Sequence, residues 1–126
     1  GKRLLQNVGN VMKKDSLPLI TPNESIKKVI NILSSGKCGL AVVVNDNTIV
    51  GVISDGDIRR AMESNEKNFF KLIALDIMTK EPHTVFETTK LKIAGDLMFS
   101  KKINSLIVKN DKGLLAGIVQ SYDLGL

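Results

Sequence analysis

Apolar residues along the chain switch between two periods. Over residues 26–33 they fall at Ile26, Val29, Ile30 and Leu33, one stripe of an α-helix. Residues 40–44 and 49–53 are short apolar runs rich in valine and isoleucine. Asn45-Asp46-Asn47 joins them, which predicts two strands and a tight turn. Leu19-Ile20 reads as a shorter strand. Thr21-Pro22-Asn23-Glu24 predicts a helix start, with Thr21 as cap, Pro22 in the first helical position and Glu24 completing a capping box. Gly36 is placed to end that helix. A second helix follows from Asp57, with Ala61 and Met62 inward. The whole is a β-α-β-β-α unit.

The unit recurs. Gly51 and Gly117, Asp57 and Asp123, and the pairs Val11-Met12 and Ile77-Met78 all stand 66 residues apart. Residues 84–86 repeat the short strand. Leu91, Ala94 and Met98 mark the inward face of its helix. Residues 106–108 and 114–119 repeat the paired strands around Asn110-Asp111-Lys112-Gly113, a turn one residue longer than the first. Asp123-Leu124 then opens a last helix. Residues 1–10 read as a lead-in from an upstream domain, with Lys2, Arg3 and then Leu4, Leu5 and Val8 at helical spacing. Residues 11–66 are repeat one and residues 67–126 repeat two. Polar residues 64–68 mark the break, and Phe69, Phe70, Leu72 and Ile73 form an apolar cluster expected to pack between the repeats. The fold class is α+β (α/β). One three-stranded sheet cannot bury its own face, so the two repeats are expected to pack as a pseudo-twofold pair.

Composition narrows the function. The chain has 126 residues, 43% of them hydrophobic, enough for a core that must be aliphatic because there is no Trp and only one Tyr. A single Cys38 cannot form an internal disulfide, which fits a reducing, cytoplasmic compartment. No apolar run approaches the roughly 20 residues of a membrane span, and no signal peptide opens the chain. A net charge of +5 fits an anionic ligand or simple solubility. The basic residues are interspersed with acidic ones and the aromatics lie in apolar contexts, which argues against nucleic-acid binding.

Chemistry concentrates in Val50-Gly51-Val52-Ile53-Ser54-Asp55-Gly56-Asp57-Ile58-Arg59-Arg60. A strand that runs into a helix leaves free N–H groups at the helix start, where a phosphate can sit. Ser54 adds a hydroxyl, and the Asp57 carboxylate suits the two hydroxyls of a ribose. A strand, a turn and a helix cap without ligand explain the same residues. Asp55 and Asp57 are spaced to hold a divalent ion, or to serve as turn and cap. Arg59 and Arg60 can reach an oxyanion or lie on a solvated face. The lone His83 has no partner set for catalysis, and Cys38 has no companion metal ligands. No metal, no catalytic residue and no enzyme activity of the chain itself is expected.

The repeats and the Gly-x-x-[Ser/Thr]-x-x-Asp corner resemble the tandem CBS domain pair, or Bateman module, over essentially the whole chain from Val11 on. That resemblance implies that Ser54 contacts phosphate and Asp57 ribose hydroxyls in a cleft between the repeats. It implies that the strand start at Gly39, Leu40 and Ala41 lines the base pocket, with Thr21 on the cleft side. In repeat two Gln120 replaces the Ser/Thr, and only Asp123 matches. The runs Gly1-Lys2-Arg3-Leu4-Leu5, Ser54-Asp55-Gly56-Asp57-Ile58-Arg59-Arg60 and Asp76-Ile77-Met78-Thr79 are further similar to the C-terminal region of bacterial arabinose 5-phosphate isomerases. In those proteins a sugar-isomerase (SIS) domain precedes a CBS pair. The resemblance implies a regulatory module with no cofactor of its own. Its ligand would be a nucleotide or nucleotide-sugar such as AMP or CMP-Kdo, and Asp55 and Arg60 would join the ligand-binding set. The parent would interconvert ribulose 5-phosphate and arabinose 5-phosphate for lipopolysaccharide Kdo synthesis. A homodimer through the CBS pair, within a full-length tetramer, is expected. The alternative is a structural dimerisation module with no ligand.

Overall fold

The computed structural model describes residues 5 to 125, and Gly1, Lys2, Arg3, Leu4 and Leu126 lie outside the described residues. Two compact units are present, Pro18–Pro82 and a second made of residues up to Leu17 with those from His83 onward.

In the first unit, β1 (Leu19–Ile20), β2 (Leu40–Asn45) and β3 (Thr48–Ser54) form a three-stranded sheet in the order β1-β2-β3. β1 runs parallel to β2, and β3 returns antiparallel. Asp46 and Asn47 take left-handed backbone angles, φ 50° and 68°, at the hairpin, as a tight two-residue connection requires. Helix α1 (Ile26–Gly36) buries Ile26, Val29 and Leu33, and helix α2 (Asp55–Ser64) buries Asp57 and Ala61. Met62, expected inward, is half exposed.

Helix α1 starts later than the Thr21–Glu24 capping box implied. Ser25 is the cap, its hydroxyl accepting from the Lys28 N–H at 3.2 Å. The upstream carbonyls are already engaged: the Glu24 oxygen accepts from the Ala74 N–H and the Pro22 oxygen from the Leu75 N–H, both at 2.9 Å. That tertiary pairing holds residues 22–24 out of the helix. Thr21 and Glu24 still meet in a turn, the Glu24 N–H donating to the Thr21 carbonyl at 3.2 Å and the Thr21 hydroxyl to the Glu24 carboxylate at 3.4 Å. Gly36 is the last helical residue, and the left-handed residue is Lys37, φ 52°. Gly36 is small because Pro18 packs on it, a Cβ there falling 2.8 Å from the proline ring.

The second unit repeats the plan with β4 (Thr84–Phe86), helix α3 (Leu91–Lys101), β5 (Ser105–Lys109) and β6 (Leu115–Gln120). Leu91, Ala94 and Met98 are buried as expected. The offset between the copies is 65 residues at the first helix and 66 at the corner, because the β5–β6 turn carries the extra Gly113, φ 78°. The expected last helix is a 3-10 turn, Ser121–Leu124.

Each unit takes in the opening segment of the other repeat. Thr79 bridges Val52 of β3 through two backbone hydrogen bonds, 2.8 and 3.0 Å, with the Met78 side chain over Gly51. Lys13 bridges Ile118 of β6 in the same way, 2.8 and 3.0 Å, with Met12 over Gly117. Phe69 is likewise buried inside the first unit against Ile26 and Ala61, while Phe70 is exposed.

Candidate functional site

The corner forms where β3 ends and α2 begins. Ser54 has extended backbone and caps α2, its hydroxyl accepting from the Asp57 N–H at 3.3 Å. Asp57 answers by accepting at Oδ2 from the Ser54 N–H at 2.9 Å and from the Ser54 hydroxyl at 3.1 Å. Its other oxygen, Oδ1, accepts from Arg60 Nη2 at 2.8 Å and from the Thr79 hydroxyl at 2.9 Å. The cap reading of Ser54 and Asp57 is thus realised in the structure, and it leaves the carboxylate at the helix start.

Asp57 is the one buried charged side chain among the described residues. Burial works to raise its carboxyl. The Ser54 N–H, then the Arg60 guanidinium, the Thr79 hydroxyl and the Ser54 hydroxyl outweigh burial and hold it below the ordinary carboxylate value. It is therefore an anion near neutral pH, fixed in orientation from both sides.

Other predicted residues divide by position. Leu40 pairs directly with Ser54 across β2 and β3, and Ala41 with Ile53, so the strand start does border the corner. Gly39 precedes it in a left-handed conformation, φ 75°, with open space where a Cβ would stand. Ala41 is fully buried and Leu40 only partly. Asp55 and Arg59 are exposed on α2. Thr21 is exposed in the turn before α1. Thr79, which sequence reasoning did not select, lies against Asp57 across 22 residues of chain. Its signal was indirect: Met78 beside it belongs to the same 66-residue pattern as Gly51.

The second corner differs. The Gln120 N–H donates to Asp123 Oδ2 at 2.8 Å, but the Gln120 side chain accepts from the Tyr122 hydroxyl at 2.7 Å. A groove of about 710 Å³ runs along the end of α3, lined chiefly by Met98, Phe99, Ile103, Ser121 and Leu124.

The CBS domain family model matches residues 8–64 and 73–124. The chain belongs to the CBS domain family. Its two CBS domains stand in tandem, each with a three-stranded sheet and its own Asp-bearing corner. The CBS pair is 37% identical over 120 residues to a probable arabinose 5-phosphate isomerase of Haemophilus influenzae, covering 95% of this chain and 35% of that protein. It is 32% identical over 125 residues to the arabinose 5-phosphate isomerase KdsD of Francisella tularensis, covering 98% and 38%. The chain thus spans little more than a third of the curated relatives it matches. Among solved structures, CBSX2 of Arabidopsis thaliana in complex with AMP is 28% identical with a TM-score of 0.82, over 95% of this chain and 93% of that one. The CBS domain pair of MJ0100 in complex with 5′-methylthioadenosine and S-adenosyl-L-methionine is 25% identical with a TM-score of 0.80, over 95% and 97%. No helix of the described residues is long and apolar enough to cross a membrane.

Proposed function

We propose that this CBS pair is a non-catalytic regulatory part of an arabinose 5-phosphate isomerase, and that the Ser54–Asp57 corner holds a nucleotide or nucleotide-sugar. The observation that carries this reading is the buried, ionised Asp57 at the start of α2. A carboxylate there suits a vicinal diol, and the N–H groups of the first helical turn suit a phosphate. Gly39, Leu40 and Ala41 supply the adjoining wall for a base, with Asp55 and Arg60 at the rim. The adenosine ligands of CBSX2 and of MJ0100 support an adenosine-type nucleotide such as AMP. CMP-Kdo is the finer candidate if the module senses the end product of the sugar pathway that its relatives open. The isomerase chemistry then belongs to an upstream SIS domain of a cytoplasmic parent, with the CBS pair aiding oligomerisation.

A thermal-shift series with AMP, ADP, ATP, CMP, CMP-Kdo and arabinose 5-phosphate tests this. A ligand at about 100 times its Kd stabilises by about 2.7 kcal/mol, a rise of several degrees for a chain of this size. The shift should vanish in Asp57→Ala. A shift that persists at full size in that variant removes the corner as the site.

One observation favours a ligand-free assembly role instead. Gln120 stands at the serine position of the second corner, with its side chain engaged by Tyr122. No shift with any of these compounds, together with a stable dimer by light scattering, would support that role.

A further inference from the structure

A carboxylate offers about four lone-pair sites, and Asp57 has four donors within the chain: the Ser54 N–H and hydroxyl on Oδ2, the Thr79 hydroxyl and Arg60 Nη2 on Oδ1. An incoming diol therefore has to displace one of them. The Ser54 N–H is backbone. The Ser54 hydroxyl is held in the reciprocal cap by the Asp57 N–H. Thr79 is fixed by its two-bond bridge to Val52. Arg60 is different. Its side chain is 70% exposed and folds back along the first turn of α2, across Gly56, whose missing side chain leaves the path open: a Cβ there would fall 3.2 Å from Nη1. Water can solvate the guanidinium when it leaves, so it is the least costly donor to release.

We propose that Arg60 is a stand-in for ligand at Asp57. It occupies Oδ1 in the empty corner and turns to an anionic group of the ligand when a ribose hydroxyl takes that oxygen. The corner thereby selects a diol joined to an anion, a nucleotide, over a neutral nucleoside. This inference rests on the nucleotide reading above. A nucleoside that displaces Arg60 breaks a charge-assisted hydrogen bond and leaves the guanidinium only water in return. A nucleotide re-pairs it with phosphate.

Calorimetric titration of the 126-residue chain with AMP and with adenosine tests the exchange. The wild-type chain binds AMP in preference. Arg60→Met tightens adenosine about tenfold, the worth of one hydrogen bond to a charged group that no longer has to be broken. The same change leaves AMP within about threefold of wild type, because the bond broken and the bond remade are both removed, so the preference collapses. Arg60→Lys, which keeps the charge without the fork, retains part of it. Gly56→Ala makes the end of the Arg60 side chain give by a few tenths of an ångström, which loosens its bond to Asp57 while keeping its charge, and tightens adenosine less than Arg60→Met does. Without any ligand, carbon-13 NMR shows the Asp57 carboxyl titrating at higher pH in Arg60→Met than in wild type. Equal weakening of AMP and adenosine in Arg60→Met, no change in either, or an unmoved Asp57 titration overturns the role of Arg60 alone. A wild-type chain that binds neither compound overturns the adenosine-type reading and this inference with it, and the thermal-shift series with CMP and CMP-Kdo decides the wider nucleotide reading separately.

Discussion

The Met78 sulfur lies where a side chain on Gly51 would begin: a Cβ on Gly51 falls 2.6 Å from it. The same contact recurs between Met12 and Gly117 at 2.8 Å, and there the Lys13 carbonyl oxygen is closer still, 2.5 Å. A methionine can rotate away from an intruding methyl group, and a bridged backbone carbonyl cannot. Both Gly51→Ala and Gly117→Ala are expected to destabilise by about 1–3 kcal/mol, with Gly117→Ala the worse of the two. Urea unfolding midpoints give the order, and a milder Gly117→Ala would contradict the backbone clash.

Ser25, and not Thr21 as the local sequence suggested, caps α1. Ser25→Ala is expected to cost about 1 kcal/mol, the usual loss of a helix cap. Thr21→Ala should stay within about 0.5 kcal/mol, as for an exposed side chain outside any cap. Chemical denaturation of the two variants measures both, and equal costs would return Thr21 to the cap.

Adjacent phenylalanines have opposite environments. Phe69 is 4% exposed against Ile26 and Ala61, and Phe70 is 68% exposed with its ring edge-on to Phe69 at 5.0 Å. Phe69→Ala is expected to cost about 3–5 kcal/mol, and Phe70→Ala about 1 kcal/mol or less, the worth of the ring pair. Thermal unfolding of each would reveal a reversed order at once.

Asp57 gives the chain an acid limb. Its carboxyl is held below the ordinary value when folded, so the unfolded chain takes up that proton first as pH falls. The stabilisation is fully present above the unfolded value of about 4 and is lost as pH drops through the folded value. Wild type should therefore lose more stability than Asp57→Asn between about pH 7 and about pH 3. Melting temperatures at both pH values compare them, and equal losses would exclude Asp57 as the group responsible.

The periodic parts of the fold were legible because their signals are local. The stripe of α1, the valine-rich strands, the Asn45-Asp46-Asn47 turn and the longer second turn all stand where pattern and turn chemistry put them. The start of α1 was not, because Pro22 and Glu24 spend their carbonyls on residues about 50 positions away. Nothing near Thr21 records that contact. The placement of Phe69 was hidden for the same reason. At the corner, the cap made by Ser54 and Asp57 was readable from the residues themselves, whereas Leu40 was expected there only through the resemblance, and its pairing with Ser54 came with the folded hairpin. Thr79 was not, since one long-range bridge carries it to Asp57. Arg60 was named as an oxyanion contact, but its partner inside the chain became visible only when α2 was folded, three residues on from the acid.

The crossed placement of Met12 and Met78 ties the two copies to a common fate. The strand glycine of each is shaped to a methionine in the opening segment of the other. A copy excised at residue 66, or replaced by one from another protein, would carry off the wrong methionine and leave a bare groove over its neighbour's glycine. Drift in either copy is therefore answerable to the other. A gene that arose by doubling such a unit would be held to the doubled form by two glycines.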